Sequence, residues 1–315
     1  MDHRVSIRNT EVDLSIIIVA YNMEREIPRT LLSLSKSYQL GVQALEYEVI
    51  IVDNGSSSRL AVDEEVLAGV PLTIIENSSG SPSPVLAANQ GVAESSGRLI
   101  CLMLDGAHIL TPGVLQLALA ADRAFINSVI ATRYFFLGPD EQNISIEAGY
   151  NQHEEDRLLN AIDWPSNGYG LFDIGTPFRS GAKNMSWLNR MFESNCLFVS
   201  RTLFEALGGL DARFDLPGGG FANLDFFKRA CDFEGSTPVQ LIGEGSFHQV
   251  HGGTTTNTSI ATRKKQTQAY RDQFEEIRGH VDLISKKPIQ YIGHLPTEGS
   301  KIHRPAPPKM QTSKH

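Results

Sequence analysis

The chain has 315 residues and is 41% hydrophobic, so it can bury a substantial core without covalent cross-links. Acidic residues outnumber basic ones by 36 to 28, and the net charge of -8 argues against general binding of nucleic acid or anionic membranes. No signal peptide and no apolar run of about 18 residues is present, so no transmembrane segment is expected. We expect a cytoplasmic protein and leave peripheral membrane contact open.

The cysteines point to the same compartment. Cys101, Cys196 and Cys231 stand alone in apolar surroundings, and none belongs to a Cys-x-x-Cys pair. This usage is typical of buried thiols in a reducing environment.

The first hundred residues alternate between apolar runs and helical patterns. The runs are continuous and rich in β-branched residues, as in strands covered on both faces. They begin at Leu14, Tyr47, Pro71 and Arg98. Helical spacing of apolar residues occurs over 25–37 and again from Ser83. This order predicts an α/β fold with a parallel sheet wound by right-handed crossovers.

The second half is less regular. We expect a helix over 112–125, a strand over 129–136, and later a strand over 196–199 and a last strand near 239–242. Short helices are predicted from Arg201 and after the glycines 218–220. Residues 138–187 show little periodicity, and their aromatic residues either stack on an acceptor or pack a small core of their own, which we favour. The tail from about Lys286 is predicted to be flexible.

Polar residues follow three of the predicted strands. The clusters are Ala20-Tyr21-Asn22, Asp53-Asn54-Gly55-Ser56 and Asp105-Gly106-Ala107-His108. Ligands of parallel sheets gather outside the carboxyl ends of the strands. Tyr21 offers a ring face to a base, Asp53 accepts from a base N–H or a hydroxyl, and Asp105 holds a ribose hydroxyl or a metal. One cluster alone is equally explained by capping of a turn, whereas three together favour a ligand site.

Four segments in this order resemble the family 2 glycosyltransferases of the GT-A fold. They are SIIIVAYNMEREIPRTLLSL, YEVIIVDNGSSS, LAANQGVAESSGRLICLMLDGAHIL and FEALGGLDARF with GGGFANLDFFKRA, between about Leu14 and Thr256. The resemblance implies a mixed, mostly parallel sheet flanked by helices. It also implies glycosyl transfer, usually with inversion, from a nucleotide-diphosphate sugar to a hydroxyl of a glycan, lipid-linked or small-molecule acceptor, as in polysaccharide biosynthesis.

The resemblance also divides the chain and assigns its residues. Residues 14–136 would bind the nucleotide sugar and 137–260 the acceptor, as two halves of one GT-A domain. Residues 1–13 would be an N-terminal extension, and 261–315 a C-terminal helix with a flexible tail. The implied donor contacts are Ala20, Tyr21, Asn22, Asp53, Asn89, Asp105 and Gly106, of which Asp105 matches the first acid of the family's Asp-x-Asp element.

The metal site departs from the family pattern. Ala107 stands where the second acid of Asp-x-Asp belongs. A divalent cation, Mn or Mg, would neutralise the leaving diphosphate, and its candidate ligands are Asp105, His108 and His251. His251 lies in a His-Gly-Gly context, with His248 as runner-up, although His-x-x-His on a strand would point its rings to opposite sides. Alternatively no metal binds, and Arg179 or Lys183 neutralises the diphosphate.

The catalytic base departs as well. The family carries it in a Glu-Asp pair, but this chain has Ala222 and Asn223 there, and asparagine cannot act as a base. The remaining candidates are Asp225 and Asp211, then Glu193 and Asp215; a charge at a helix N-terminus explains Asp225 equally well. These departures leave three options: relocated groups, no enzymic base, or a protein that only binds a nucleotide sugar or glycan. A nucleotidyltransferase is disfavoured because its Gly-rich basic signature is missing.

Overall fold

The computed structural model describes residues 12–77, 79–179, 185–254 and 256–294. These residues contain ten strands and nine α-helices. The strands are β1 Leu14–Ala20, β2 Tyr47–Asp53, β3 Leu72–Glu76, β4 Leu99–Met103, β5 His108–Leu110, β6 Ser128–Leu137, β7 Gly175–Pro177, β8 Leu197–Ser200, β9 Thr237–His248 and β10 Gln290–Gly293. The helices are α1 Ile27–Leu34, α2 Val85–Ala93, α3 Val114–Ala124, α4 Gln142–Glu147, α5 Gln152–Ala161, α6 Leu171–Ile174, α7 Arg201–Ala206, α8 Ala222–Asp232 and α9 Ile260–Arg278.

All ten strands belong to one sheet. Its main path is β10-β9-β6-β8-β4-β1-β2-β3, while β5 pairs with β9 and β7 with β6. Along this path β8 alone runs against its neighbours, β4 and β6. The mixed, mostly parallel sheet predicted from the sequence is therefore present. The carboxyl ends of β1, β2, β4, β6 and β9 lie at one edge, where the start of β8 joins them.

The sheet is covered on both faces, as the continuous apolar runs predict. Leu14, Ile16 and Ile18 of β1 pack in a cluster with α1 and α3 on one face. Ile17 and Val19 pack with α2 and α8 on the other. The α2 helix approaches so closely that a Cβ added at Gly91 would lie 2.5 Å from Ile17 Cγ2. This packing fixes the strand ends that carry the polar clusters.

Residues 138–187 show little periodicity in the sequence, yet this range contains α4, α5 and α6. Helix α5 begins at Asn151, whose side-chain oxygen accepts hydrogen bonds from the backbone N–H of His153 and Glu154. Two aromatic residues of the range, Phe172 and Trp187, follow the favoured interpretation, whereas Phe178 lines a cavity described below. Phe172 and Trp187 pack against Phe135 and Phe247 in a third core cluster.

The flexible tail also needs correction. Residues Gln290–Gly293 form β10, which extends the sheet by pairing in parallel with β9, whereas residues 1–11 and 295–315 lie outside the described ones. The helix expected after residue 260 is α9. All three cysteines are buried, as predicted. Within the described ranges, no helix combines the length and the apolar character needed to cross a membrane.

Candidate active site

The tips of β1 and β2 are joined by hydrogen bonds. Ala20 lies opposite Asp53 in the parallel register, and its carbonyl accepts from the N–H of Asn54 at 2.8 Å. The Asp53 carboxylate accepts from the N–H of Ser56 at 2.8 Å, and Asn22 Oδ1 accepts from the N–H of Ser57. These contacts use the side chains to shape two turns. Tyr21 between them is 55% exposed, so its ring is available to a ligand.

Asp105 lies at the same edge, on the other side of β1. Ile18 of β1 pairs with Met103 of β4, so Ala20 and Asp105 each follow that pair by two residues. Two hydrogen bonds join the backbone of Asp105 to the Asn195 side chain, at 2.9 and 2.8 Å. Asp105 Oδ1 accepts from the N–H of Ala107, which leaves Oδ2 for other partners.

Glycine at 106 is required by packing. A Cβ there would lie 2.9 Å from Ile18 Cγ2, from Ile27 Cδ1 and from the Val19 carbonyl oxygen. The predicted role of Gly106, room for a donor, is thus accompanied by a structural one that is sufficient by itself.

Two histidines converge on Asp105. The Nε2 atoms of His248 and His251 each lie 3.1 Å from Asp105 Oδ2 and 3.1 Å from each other. His248 is the last residue of β9, and the chain turns after it, so the ring of His251 comes back to the same point. The expectation that His-x-x-His spreads its rings to opposite sides was therefore wrong, because the strand ends at its first histidine.

This group fits a divalent cation. His248 Nδ1 lies 2.6 Å from Gln142 Oε1, an acceptor, so Nδ1 carries the proton. Burial lowers the pKa of His248, and the neutral ring then directs the lone pair of Nε2 at the Asp105 carboxylate. Two acceptors at 3.1 Å need a cation or a proton between them. A carboxylate and two imidazoles, one held by a hydrogen bond behind it, form a suitable ligand set.

His251 has the opposite tendency. Burial works against its charged form, but the Asp105 carboxylate outweighs burial and raises the pKa of His251. The same two rings hold the pKa of Asp105 well below its ordinary value, although burial alone would raise it. Asp105 is therefore a carboxylate, and the site has a full negative charge whenever both histidines are neutral.

His108 is placed differently from the prediction. Its Nδ1 lies 2.8 Å from Ser246 Oγ, and its ring contacts Tyr134 and the edge of His248, with centroids 5.0 Å apart in both cases. The cluster of potential ligand atoms found in the described ranges consists of Asp105, His248 and His251 without it. Burial, together with His248, lowers the pKa of His108 well below its usual value. His108 therefore packs against the His248 ring, and His248 is the second histidine of the cluster.

The two predicted catalytic acids, Asp225 and Asp211, lie in a cluster of ion pairs. Arg278 donates to Asp225 at 2.6 and 2.8 Å and lies 2.8 Å from Asp211. Arg229 also donates to Asp225, and Arg213 to Asp211. A cavity opens beside Asp105 and is described below. Neither Asp225 nor Asp211 belongs to its described lining. These contacts, which join α8 and α9 and the Gly208-Gly209 turn, favour a structural role for both acids over the predicted catalytic one.

Asn89 also has structural partners. Its amide donates to the Leu210 carbonyl at 2.8 Å, and its oxygen accepts from the Leu210 N–H at 3.0 Å. Both ends of the side chain are thus used to hold α2 against the turn after α7. This geometry favours a supporting role over the predicted donor contact.

A cavity of about 1050 Å³ opens beside Asp105, on the side of β6 and β8. Its aromatic part contains Tyr134, Phe136 and Phe178, and its lining also includes Glu193, Asn223 and one face of α9. That face presents Ile260, Arg263, Lys264, Thr267, Gln268 and Arg271. Tyr21 and Asp53 are not part of the cavity lining as described. Asp105 therefore lies between the β1–β2 tips and this cavity.

Gln142 and Asn195, which hold His248 and Asp105, were not predicted as site residues. Both lie outside the quoted motifs. Their partners are distant in the chain, 106 residues away for Gln142 and 90 for Asn195.

A family model described as "Glycosyl transferase family 2" matches residues 15–186, more than half of the chain. The chain belongs to glycosyltransferase family 2. Its mixed sheet flanked by helices is the GT-A fold of that family. Among curated proteins no match was found.

Solved structures of S. aureus TarS are similar to this family 2 protein at low identity. TarS 1-349 is 14% identical with a TM-score of 0.45, over 84% of this chain and 65% of that one. TarS 1-349 in complex with UDP-GlcNAc is 13% identical with a TM-score of 0.48, over 84% and 66%. The chain thus spans slightly less than two thirds of TarS 1-349.

Proposed function

We propose that this protein transfers a sugar from a nucleotide-diphosphate donor to an acceptor hydroxyl, with inversion and with the help of Mn or Mg. The supporting observation is that Asp105, His248 and His251 come together between the exposed Tyr21 and the cavity beside β6. Family membership supports the class of reaction, and this arrangement supports separate positions for the donor and the acceptor.

The nucleotide would lie over the tips of β1 and β2. The ring of Tyr21 can stack on the base, and Asp53 retains an acceptor oxygen for a base N–H or a ribose hydroxyl. The Ala20 and Asn22 backbone shapes the floor of this surface. The diphosphate would then extend towards Asp105.

Asp105, His248 and His251 would hold the cation. A divalent cation bound there supplies positive charge to the leaving diphosphate. Gln142 keeps the His248 ring in the tautomer that binds a metal, and Asn195 keeps Asp105 in place. The alternative without a metal is less favoured, because Arg179 lies 2.5 Å from Asp140 and is already paired. Lys183 lies outside the described residues.

The acceptor would enter the cavity beside Asp105. Tyr134, Phe136 and Phe178 provide aromatic faces, which suit the C–H groups of a sugar ring. Lys264 and Arg271 of α9 are exposed in the same lining. This lining is compatible with a glycan, a lipid-linked or a small-molecule acceptor, as expected for an enzyme of polysaccharide biosynthesis.

Binding and turnover can be tested separately. The protein is heated with UDP-, GDP- and dTDP-sugars, including UDP-GlcNAc, with and without Mn²⁺, and a selective rise in melting temperature identifies the donor. Nucleotide release is then measured for that donor. We expect Asp105→Ala to lose the Mn²⁺-dependent rise. Donor binding with no nucleotide release from the native protein would instead support the alternative function, a module that binds a nucleotide sugar without turnover.

A further inference from the structure

Glu193 lies next to the position at which the family's catalytic carboxylate is missing. Asn223, the second residue of α8, stands where the family has the acid of its Glu-Asp pair. The Asn223 Nδ2 atom lies 3.5 Å from Glu193 Oε2. A carboxylate is therefore present at this point of the fold, supplied by the segment before β8 instead of by α8.

The segment that carries Glu193 is firmly held. Ser194 Oγ accepts from the Thr132 N–H at 3.1 Å and donates to the Thr132 carbonyl at 2.9 Å. Asn195 makes the two hydrogen bonds to the Asp105 backbone described above. Glu193 is thus fixed relative to Asp105, and both residues line the same cavity.

The other acids of the described cavity lining have partners that exclude them as bases. Asp105 faces His248 and His251. Glu141 lies 3.7 Å from Arg179 and 3.6 Å from Arg263. Among these acids of the described lining, Glu193 alone is not paired with an arginine or a histidine; its side chain contacts the Asn223 amide, which leaves a carboxylate basic.

We propose, on the basis of the function proposed above, that Glu193 is the general base that deprotonates the acceptor hydroxyl. The acceptor oxygen forms a bond to the anomeric carbon while the bond from that carbon to the diphosphate oxygen breaks. The bonding electrons leave with the nucleoside diphosphate, and the hydroxyl proton passes to a Glu193 carboxylate oxygen. The products are the glycosylated acceptor, the nucleoside diphosphate and a protonated Glu193.

The surroundings of Glu193 suit this role. Burial raises the pKa of Glu193 to about 7, while Asn223 and Arg263 act against the rise. A base whose pKa lies near the working pH is efficient in proton transfer. Charged and titratable groups around it are Tyr134 from β6, Arg263, Lys264 and Arg271 from α9, Asp105 and Glu141 across the cavity, and Arg133, Arg179 and Arg190 around an adjoining cavity of about 130 Å³.

The test compares Glu193→Gln with the native protein and with Glu154→Gln, an exposed glutamate that pairs with Arg157. Nucleotide release is followed with water as acceptor, from UDP-GlcNAc or from the donor that the melting experiment selects. We expect kcat/KM to fall by about 100-fold or more in Glu193→Gln. Donor affinity and the activity of Glu154→Gln should change little. In the native protein kcat/KM should rise with pH to a plateau above about 7, and Glu193→Gln should lose this rise.

Asn223→Asp provides a rescue. Adding it to Glu193→Gln returns a carboxylate to the same point of the cavity, so part of the lost kcat/KM should recover, which a purely structural role of Glu193 does not predict. An unchanged kcat/KM and pH profile in Glu193→Gln would overturn the assignment of Glu193 alone. If the native protein releases no nucleotide from any donor, the proposed function fails and the assignment fails with it.

Discussion

Asp225→Asn distinguishes a structural aspartate from a catalytic one. The Asp225 side chain is 2% exposed and accepts three hydrogen bonds from arginines, at 2.8 Å from Arg229 and at 2.6 and 2.8 Å from Arg278. Removing one member of a buried ion pair typically costs about 3–5 kcal/mol, because the partner charges remain buried.

The cost should fall at the lower end of that range. Arg278 keeps Asp211 at 2.8 Å, and Arg229 keeps the carbonyls of Leu207 and Gly209 at 3.0 and 2.9 Å. We therefore expect a loss of about 3 kcal/mol in the free energy of unfolding. At about 2 °C per kcal/mol for a chain of this size, the melting temperature should fall by about 6 °C.

Denaturant unfolding and nucleotide release should be measured on the same preparation, well below the melting temperature. The expected result is reduced stability with an unchanged kcat for the folded fraction. Asp215→Asn is the matched control, because it removes the charge of a neighbouring acid that accepts a hydrogen bond from the Gln273 amide. Stability close to that of the native protein combined with a lost kcat would refute the structural assignment and return Asp225 to catalysis.

Three further changes test other parts of the site. Gln142→Leu should weaken Mn²⁺ binding by about 10–100-fold in calorimetry, since the His248 ring loses the acceptor that sets its tautomer; unchanged affinity would remove Gln142 from the cation site. Tyr21→Ala should weaken nucleotide binding by about 1 kcal/mol through lost stacking, and equal titrations would show that no base lies on that ring. Gly91→Ala should destabilise the fold by about 1–3 kcal/mol, because its Cβ would meet Ile17 and Val52; an unchanged unfolding midpoint would show that α2 moves freely.

The apolar runs and helical patterns of the first hundred residues were enough to predict their strands and helices. The runs from Leu14 and Tyr47 are buried on both faces of a parallel sheet, and such strands can be read from the sequence alone. Helix α5 was missed because Glu155, an interior position, is fully buried. It accepts from the Val250 N–H at 2.7 Å and from Arg25 at 3.0 Å. A buried charge breaks the apolar periodicity on which helix prediction depends.

Residues of the site were predicted only where they directly follow a strand or belong to a motif near its end. Asp105 and His251 were singled out from their motifs, and the structure brings them together with His248. The contact of Asp225 with Arg278 could not be foreseen, since the two residues are 53 positions apart in the chain. Strand β10 was missed because three of its four residues are exposed, so it has no alternating pattern.

The position of β8 has a consequence for how this protein can be divided. The family-matched segment ends at residue 186, yet β8 begins at Leu197 and fills the gap between β4 and β6. A polypeptide limited to the matched residues would lack β8, β9 and β10, so β4 would lose the partner on one edge and β6 would lose partners on both edges, which favours self-association. The segment that matches the family is therefore shorter than the segment that completes the sheet. Chimaeras between relatives would need crossover points beyond β9.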